Sequence, residues 1–299
     1  MSIARRLISV QGELEPFSFD IQTTSANTVY ELPLTSVGGQ QPNITVDWGD
    51  ETSDTITSVS DTDREHTFAT ASTYTIEISG TLPGFKVNND PVYRDLYTAV
   101  NHWGNVGVKE IDFYGCSNLT SLPVDGSNNA IDNEGLSSVS RFDDTFHSTG
   151  ITVIPNGLFD FAVNVISFTN TFAFSNGITS IPSGLFDNNT EVLVMAGTFN
   201  GLTGLTTIPT GLFDNNIKIQ NFQSVFRNTR DLTGIPIALF DNCPDVTTFA
   251  NAFNMASTAN DLTGDAPDIW NRSPEPLGTD CFAFCTGLTN FASIPNNFK

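Results

Sequence analysis

The chain has 299 residues, enough for two hydrophobic cores. Its formal charge is −21, from 33 carboxylates against 12 cations, and this sets an electrostatic barrier against phosphate backbones and excludes nucleic acid as an expected partner. Composition is skewed toward one aromatic, with 24 Phe against 5 Tyr and 3 Trp, which points to a structural unit that uses Phe repeatedly.

Residues 1–12 carry two arginines and no carboxylate, an apolar and basic arm (Ile3, Arg5, Arg6, Leu7, Ile8) unlike the acidic remainder. Such an arm suits attachment to an acidic or apolar groove on a partner. Neither this opening nor any later segment has an apolar run of the length of a signal peptide or a membrane span. The expectation is a chain that does not use Sec export and does not insert in a membrane.

Residues 13–106 hold three cations against fourteen carboxylates. Within residues 13–85, Ile44-Thr45-Val46-Asp47-Trp48 and Thr73-Tyr74-Thr75-Ile76-Glu77-Ile78 alternate at period two, the pattern of strands with one buried face. A β-sandwich is their simplest home. The run Val46-Asp47-Trp48-Gly49-Asp50-Glu51-Thr52, followed by His66-Thr67-Phe68 and Ser72-Thr73-Tyr74-Thr75-Ile76, resembles the PKD domain, an immunoglobulin-like β-sandwich of many surface proteins. It departs from that family at Glu51 and Ser72, where Gly is usual. The resemblance implies a core role for Trp48, a turn at Gly49-Asp50 and a structural role for His66. The acids Asp47, Asp50, Glu51 and Asp54 lack the spacing of a calcium loop, so no metal is expected there.

Residues 86–106 join this module to a second one. Asn88-Asn89-Asp90-Pro91 is turn chemistry, and Tyr97 to Trp103 is apolar enough to cover the open end of a stack of repeats.

Residues 107–299, with seven cations against nineteen carboxylates, are dominated by such a repeat. Ile154-Pro155, Ile181-Pro182, Ile208-Pro209 and Ile235-Pro236, each leading into a Leu-Phe-Asp, recur every 27 residues. Upstream of each proline, an aliphatic residue is followed by Phe or Met at +3 and Phe at +7: Val165, Phe168, Phe172; Val192, Met195, Phe199; Ile219, Phe222, Phe226. Degenerate copies at both ends bring the total to about seven. A 27-residue unit cannot bury its own apolar edge, so successive turns must stack and line their Phe side chains up inside. Leu-Thr-x-Ile-Pro reads as extended and the +3, +7 spacing as helical, so one short strand and one short helical turn per copy are expected.

Ile111-Asp112-Phe113-Tyr114-Gly115-Cys116-Ser117-Asn118-Leu119 resembles a cysteine-type leucine-rich repeat. The copies ending Leu-Phe-Asp-Asn-Asn resemble the BspA-like leucine-rich repeats of bacterial and phage surface proteins. The likeness implies protein or glycan binding outside a cell, without catalysis. One position departs from it: Asn170, Gly197, Ser224 and Asn251, two before the second Phe, stand where the ordinary repeat has Leu. The fold class expected for the whole chain is therefore mainly β, an amino-terminal immunoglobulin-like β-sandwich and a carboxy-terminal leucine-rich-repeat-type solenoid.

Four cysteines (Cys116, Cys243, Cys281, Cys285) are too few and too irregular for a disulfide framework. Buried thiols are favoured over a Cys281–Cys285 disulfide, and Cys281-x3-Cys285 without a second ligand pair does not make a zinc site. The three histidines (His66, His102, His147) sit in no triad or metal-hydrolase pattern, and no phosphate-cradling glycine motif occurs. Asp143-Asp144 is the most acidic spot on the array, read as a solvated loop ahead of a paired-carboxylate site.

These features point to a non-enzymatic phage virion surface protein without cofactor or metal, a head fibre, decoration protein or tail adhesin. Its arm and sandwich would contact other virion proteins, and its solenoid would meet a host protein or glycan; self-association stays open. A bacterial cell-surface adhesin is the alternative, and a polysaccharide-degrading enzyme the second. Residues beside the second Phe of each copy change while the framework stays fixed, so Tyr114, His147, Asn200, Arg227 and Asn254 are the candidate binding residues.

Overall fold

A computed structural model describes residues 15–89, 91–123, 134–257 and 259–299. The protein is mainly β, and its only helical segments among the described residues are short 3₁₀ turns. Strands β1 (Phe17–Gln22), β4 (Asn43–Asp47), β5 (Ser53–Ile56), β7 (Thr73–Thr81) and β9 (Tyr97–His102) form one antiparallel sheet in the order β5-β4-β7-β1-β9. Its register puts Phe17 opposite Ile78, Phe19 opposite Ile76 and Ile21 opposite Tyr74, all buried. Period-two alternation thus sends one apolar row of each strand to the same face. Two smaller sheets are made by β2 (Thr28–Glu31) with β6 (Glu65–Phe68), and by β3 (Leu34–Thr35), β8 (Gly84–Lys86) and β10 (Glu110–Asp112). Rings from these elements meet in the core. Phe85 of β8 lies 5.2 Å edge-on to Phe17, and Tyr30 of β2 lies 6.3 Å edge-on to Trp48.

The strands that follow β7 tie this region to the repeats. β8 pairs antiparallel with β3 on one side and parallel with β10 on the other, while β9 adds to the edge of β1 and bridges Ser121 through Ala99. Trp103 is fully buried and its ring lies 6.2–6.4 Å from Phe17, Phe113 and Phe146, so the aromatic core runs unbroken across the junction. Gly104 makes this approach possible, because a Cβ there would stand 2.2 Å from the Phe17 nitrogen.

Beyond β10 the copies are joined by single parallel bridges, Arg141 to Ser167 to Val194 to Asn221 to Thr248 to Leu277. Further hydrogen bonds follow each bridge: Phe142 N to Ser167 O (3.0 Å), Asp144 N to Thr169 O (2.8 Å), Phe146 N to Thr171 O (2.8 Å) and Ser148 N to Ala173 O (2.8 Å). The expected strand and helical turn per copy are not what forms. Asp144, Asn170, Gly197, Ser224, Asn251 and Asp280 all have φ between 53° and 65°, so the backbone leaves the pleat after one bridged residue and turns. Local bonds such as Thr145 N to Phe142 O (3.2 Å) close those turns. Every other N–H still points at the next copy, and the ladder continues without a strand. The Gly-Leu-Phe-Asp segments are likewise single turns, closed by Asp187 N to Gly184 O and Asp214 N to Gly211 O. The left-handed position explains why Leu is missing two residues before the second Phe: Gly, Asn and Asp tolerate that conformation, and a branched apolar side chain resists it.

Inside, Phe113, Phe146, Phe172, Phe199, Phe226, Phe253 and Phe282 stack ring on ring, with centroids 5.4–6.3 Å apart and planes within 15°. Phe159, Phe186, Phe213 and Phe240 form a second column at 6.1–6.2 Å. Beside them runs a buried polar rail. Asn189 Nδ2 donates to Phe159 O and Ala162 O, Asn216 Nδ2 to Phe186 O and Asn189 O, and Arg272 closes the row on Phe240 O and Cys243 O. These side chains satisfy turn carbonyls that no ladder reaches. The Leu-Thr-x-Ile-Pro leg carries another ladder, seen at Thr120 N to Thr98 O, Thr233 N to Thr206 O and Thr263 N to Thr233 O. At the far end Phe298 folds back, accepting from Phe282 N at 2.7 Å and packing near Trp270.

Candidate binding face

Each copy turns a corner soon after its second Phe. The Phe points inward, and the second residue after it takes positive φ in six copies, with Gly115, Ser148, Phe174, Gly201, Asn228 and Phe284 between 56° and 76°; after Phe253 the left-handed residue is Ala256 instead. The N–H of that left-handed residue donates to the carbonyl of the residue after the second Phe in the following copy. The bonds are Gly115 to His147, Ser148 to Ala173, Phe174 to Asn200, Gly201 to Arg227 and Asn228 to Asn254, at 2.7–3.0 Å. Tyr114, His147, Ala173, Asn200, Arg227 and Asn254 therefore stand in one column, in which Ala173 is fully buried.

Tyr114, His147, Asn200 and Arg227 are half-buried there, with part of each side chain facing solvent. Asn254 is different. It is buried, donates from Nδ2 to Asn251 Oδ1 (2.9 Å) and accepts from Ala256 N (2.9 Å), so it locks its own turn and presents nothing. The arm residues Ile3, Arg5, Arg6, Leu7 and Ile8 lie outside the described residues.

At the amino-terminal end of the column the rings pack on one another. Arg94 sits over Tyr114 at 5.1 Å, Tyr114 stacks on His147 at 4.6 Å, and Phe174 follows at 5.3 Å. Burial holds the His147 imidazole below its ordinary pKa against the pull of Asp144, and Nδ1 is bonded to Ser148 Oγ at 2.8 Å. Phe174 is 44% exposed and adopts φ 59°, a conformation unfavourable for an aromatic. Its ring rests over Gly201, where a Cβ would come within 2.6 Å of it. Composition alone did not single out Phe174. The available signal was an aromatic where other copies carry Gly115, Ser148, Gly201 and Asn228.

Other titratable groups are occupied locally. Asp143 accepts from the Arg141 guanidinium, Ser167 Oγ and Thr169 N, while Asp144 supplies one of the left-handed corners. His66 Nε2 bonds Asp50 Oδ2 at 2.8 Å and the imidazole stacks on Trp48. Burial opposes ionisation of Asp50, yet bonds from Thr52 and His66 prevail and lower its pKa. Asp47 caps Gly49 N and Asp54 accepts from Trp48 Nε1, so this acidic set is spent on its own loop. Among the described residues no group of three or more His, Cys, Asp or Glu is placed to hold a metal. The four cysteines are buried free thiols, and burial pushes Cys243 and Cys285 up to about 12. No known family model matches the chain, and no curated protein matches it significantly.

Proposed function

We propose that the protein is a non-enzymatic display protein. In this reading the repeat array is a BspA-like leucine-rich-repeat solenoid that presents its outer corner column to a ligand, and the amino-terminal sheets are a PKD-like, immunoglobulin-type sandwich that carries it. The observation that supports it is the column itself: backbone bonds fix a row of positions, and its solvent-facing occupants change from Tyr to His, Asn and Arg while the inward Phe does not. A rigid frame with freely varied outward side chains is the arrangement of a recognition surface. A host surface protein or glycan is the class of ligand proposed.

The proposed location is the surface of a phage particle, with the basic, apolar residues 3–8 and the sandwich as the attachment end. The composition of that arm and the likeness of the repeats to phage surface proteins support this. Antibody labelling of purified particles, imaged by electron microscopy, tests it. Label on capsid or tail is the expected result, and label confined to a bacterial envelope would replace the virion with the cell-surface alternative. For the face, a triple variant with His147, Asn200 and Arg227 changed to serine is expected to unfold like the parent and to lose adhesion to host cells. Undiminished adhesion would contradict the assignment.

A further inference from the structure

Arg227 and Arg230 differ from the other arginines of the array in how their charge is used. The other array arginines are engaged: Arg141 pairs with Asp143, and Arg272 caps two backbone carbonyls. Arg227 and Arg230, three residues apart in one copy, have no ion pair among the described residues, in a chain of net charge −21. Arg227 Nε is shielded from solvent and has no hydrogen-bond partner, and the same holds for Asn200 Oδ1 and Asn228 Oδ1, as it does for Asn189 Oδ1 and Asn216 Oδ1 in the buried rail. Shielded polar atoms without partners are uncommon. Here three converge on adjacent corners, because Gly201 N bonds Arg227 O (2.7 Å) and Phe174 N bonds Asn200 O (2.8 Å). Phe174 borders the same spot with an exposed ring held in left-handed backbone.

We infer that Phe174, Asn200, Arg227 and Asn228 form a binding site for a carboxylated sugar, with Arg230 at its margin; this rests on the proposed display role and deepens it. The donor set matches that chemistry. A guanidinium fork takes a carboxylate through two parallel bonds, which a neutral sugar cannot return. The amide Nδ2 groups of Asn200 and Asn228 donate to sugar hydroxyls. The Phe174 ring offers an apolar surface to the C–H face of a pyranose. Gly201 is required because any side chain would displace that ring. The surrounding acidity does not defeat the contact: at physiological salt its field is screened over about 8 Å, whereas the fork acts at contact distance.

The test is calorimetric titration of the full chain with an oligogalacturonate and with a sialylated oligosaccharide, using maltohexaose as the neutral control, alongside adhesion to host cells. The expected result is binding of at least one acidic probe and not the control. Arg227→Gln should weaken it at least tenfold, and so should Phe174→Asn, which substitutes the residue found at the same corner in Asn228 and should leave thermal unfolding intact. Acidic probe bound equally by both variants would overturn the site. Cells bound but neither acidic probe bound would overturn the sugar class and leave the display role standing. Failure to bind either probes or cells would remove both.

Discussion

The five-stranded sheet and the repeat array both build their cores from phenylalanine, and they organise it differently. In the sheet, Phe17 meets Phe85 and Trp103, partners far along the chain, through strands that alternate at period two. In the array, each Phe meets its own equivalent one copy before and one copy after, as Phe199 meets Phe172 and Phe226. The difference extends to corners. A turn in the sheet region, such as Glu51 at φ 72°, occurs once. A corner in the array recurs with the same backbone, so outward side chains accumulate into a column. Repetition of a left-handed corner turns a local backbone device into a surface.

The contrast can be strained first in the core. Phe199→Ala should cost about 3–5 kcal/mol by urea unfolding and, because each copy is held only by its neighbours, should broaden or split the transition. Phe19→Ala, in the cooperative sheet, should cost a similar amount and shift a transition that stays sharp. A broadened transition for Phe19→Ala and not Phe199→Ala would reverse the comparison.

The rail comes next. Asn189→Ala removes two donors from buried carbonyls and should cost about 1–3 kcal/mol in the same measurement. The corner follows. Gly197→Leu, installing the residue an ordinary repeat carries, should cost at least about 1–2 kcal/mol for the left-handed backbone alone, since its Cβ would also meet Asn170 Oδ1. Ser224→Gly at the equivalent corner should be close to neutral. If Gly197→Leu were neutral, the left-handed corner would be the wrong explanation of the missing Leu.

The smallest effect is expected at the junction. Burial raises the Asp112 pKa above its ordinary 3.8, against the bonds from Asn88 N and Tyr114 N and the charges of Lys86 and Arg94. A raised carboxyl contributes stability below 3.8 and loses it as pH climbs through the folded value. The melting-temperature difference between Asp112→Asn and the parent should therefore move in favour of the variant as pH rises from about 3 to about 7. A difference that is flat or falls would show that burial of Asp112 is not the dominant influence.

Much of this was legible because it is periodic. The alternation in Ile44–Trp48 and Thr73–Ile78 marks β4 and β7, and the 27-residue spacing marks the inward Phe columns. The corner was present only as an anomaly, the small or polar residue at Asn170, Gly197, Ser224 and Asn251, because a sequence records side chains and the ladder is made by backbone. β8 and β10, three residues each, are too short to alternate, so their parallel pairing could not be read. Of the five proposed face residues, Asn254 looked like Asn200 and differs because its amide finds Asn251 next to it.

The most direct measurement is amide hydrogen exchange at Phe172, Phe199 and Phe226, whose N–H groups donate to Thr198 O, Val225 O and Ala252 O of the following copies. Protection comparable with that of Ile76 at the centre of β7 is the expected outcome. Exchange at these three as fast as at the exposed Asn188 would mean that the copies do not stack through their corners.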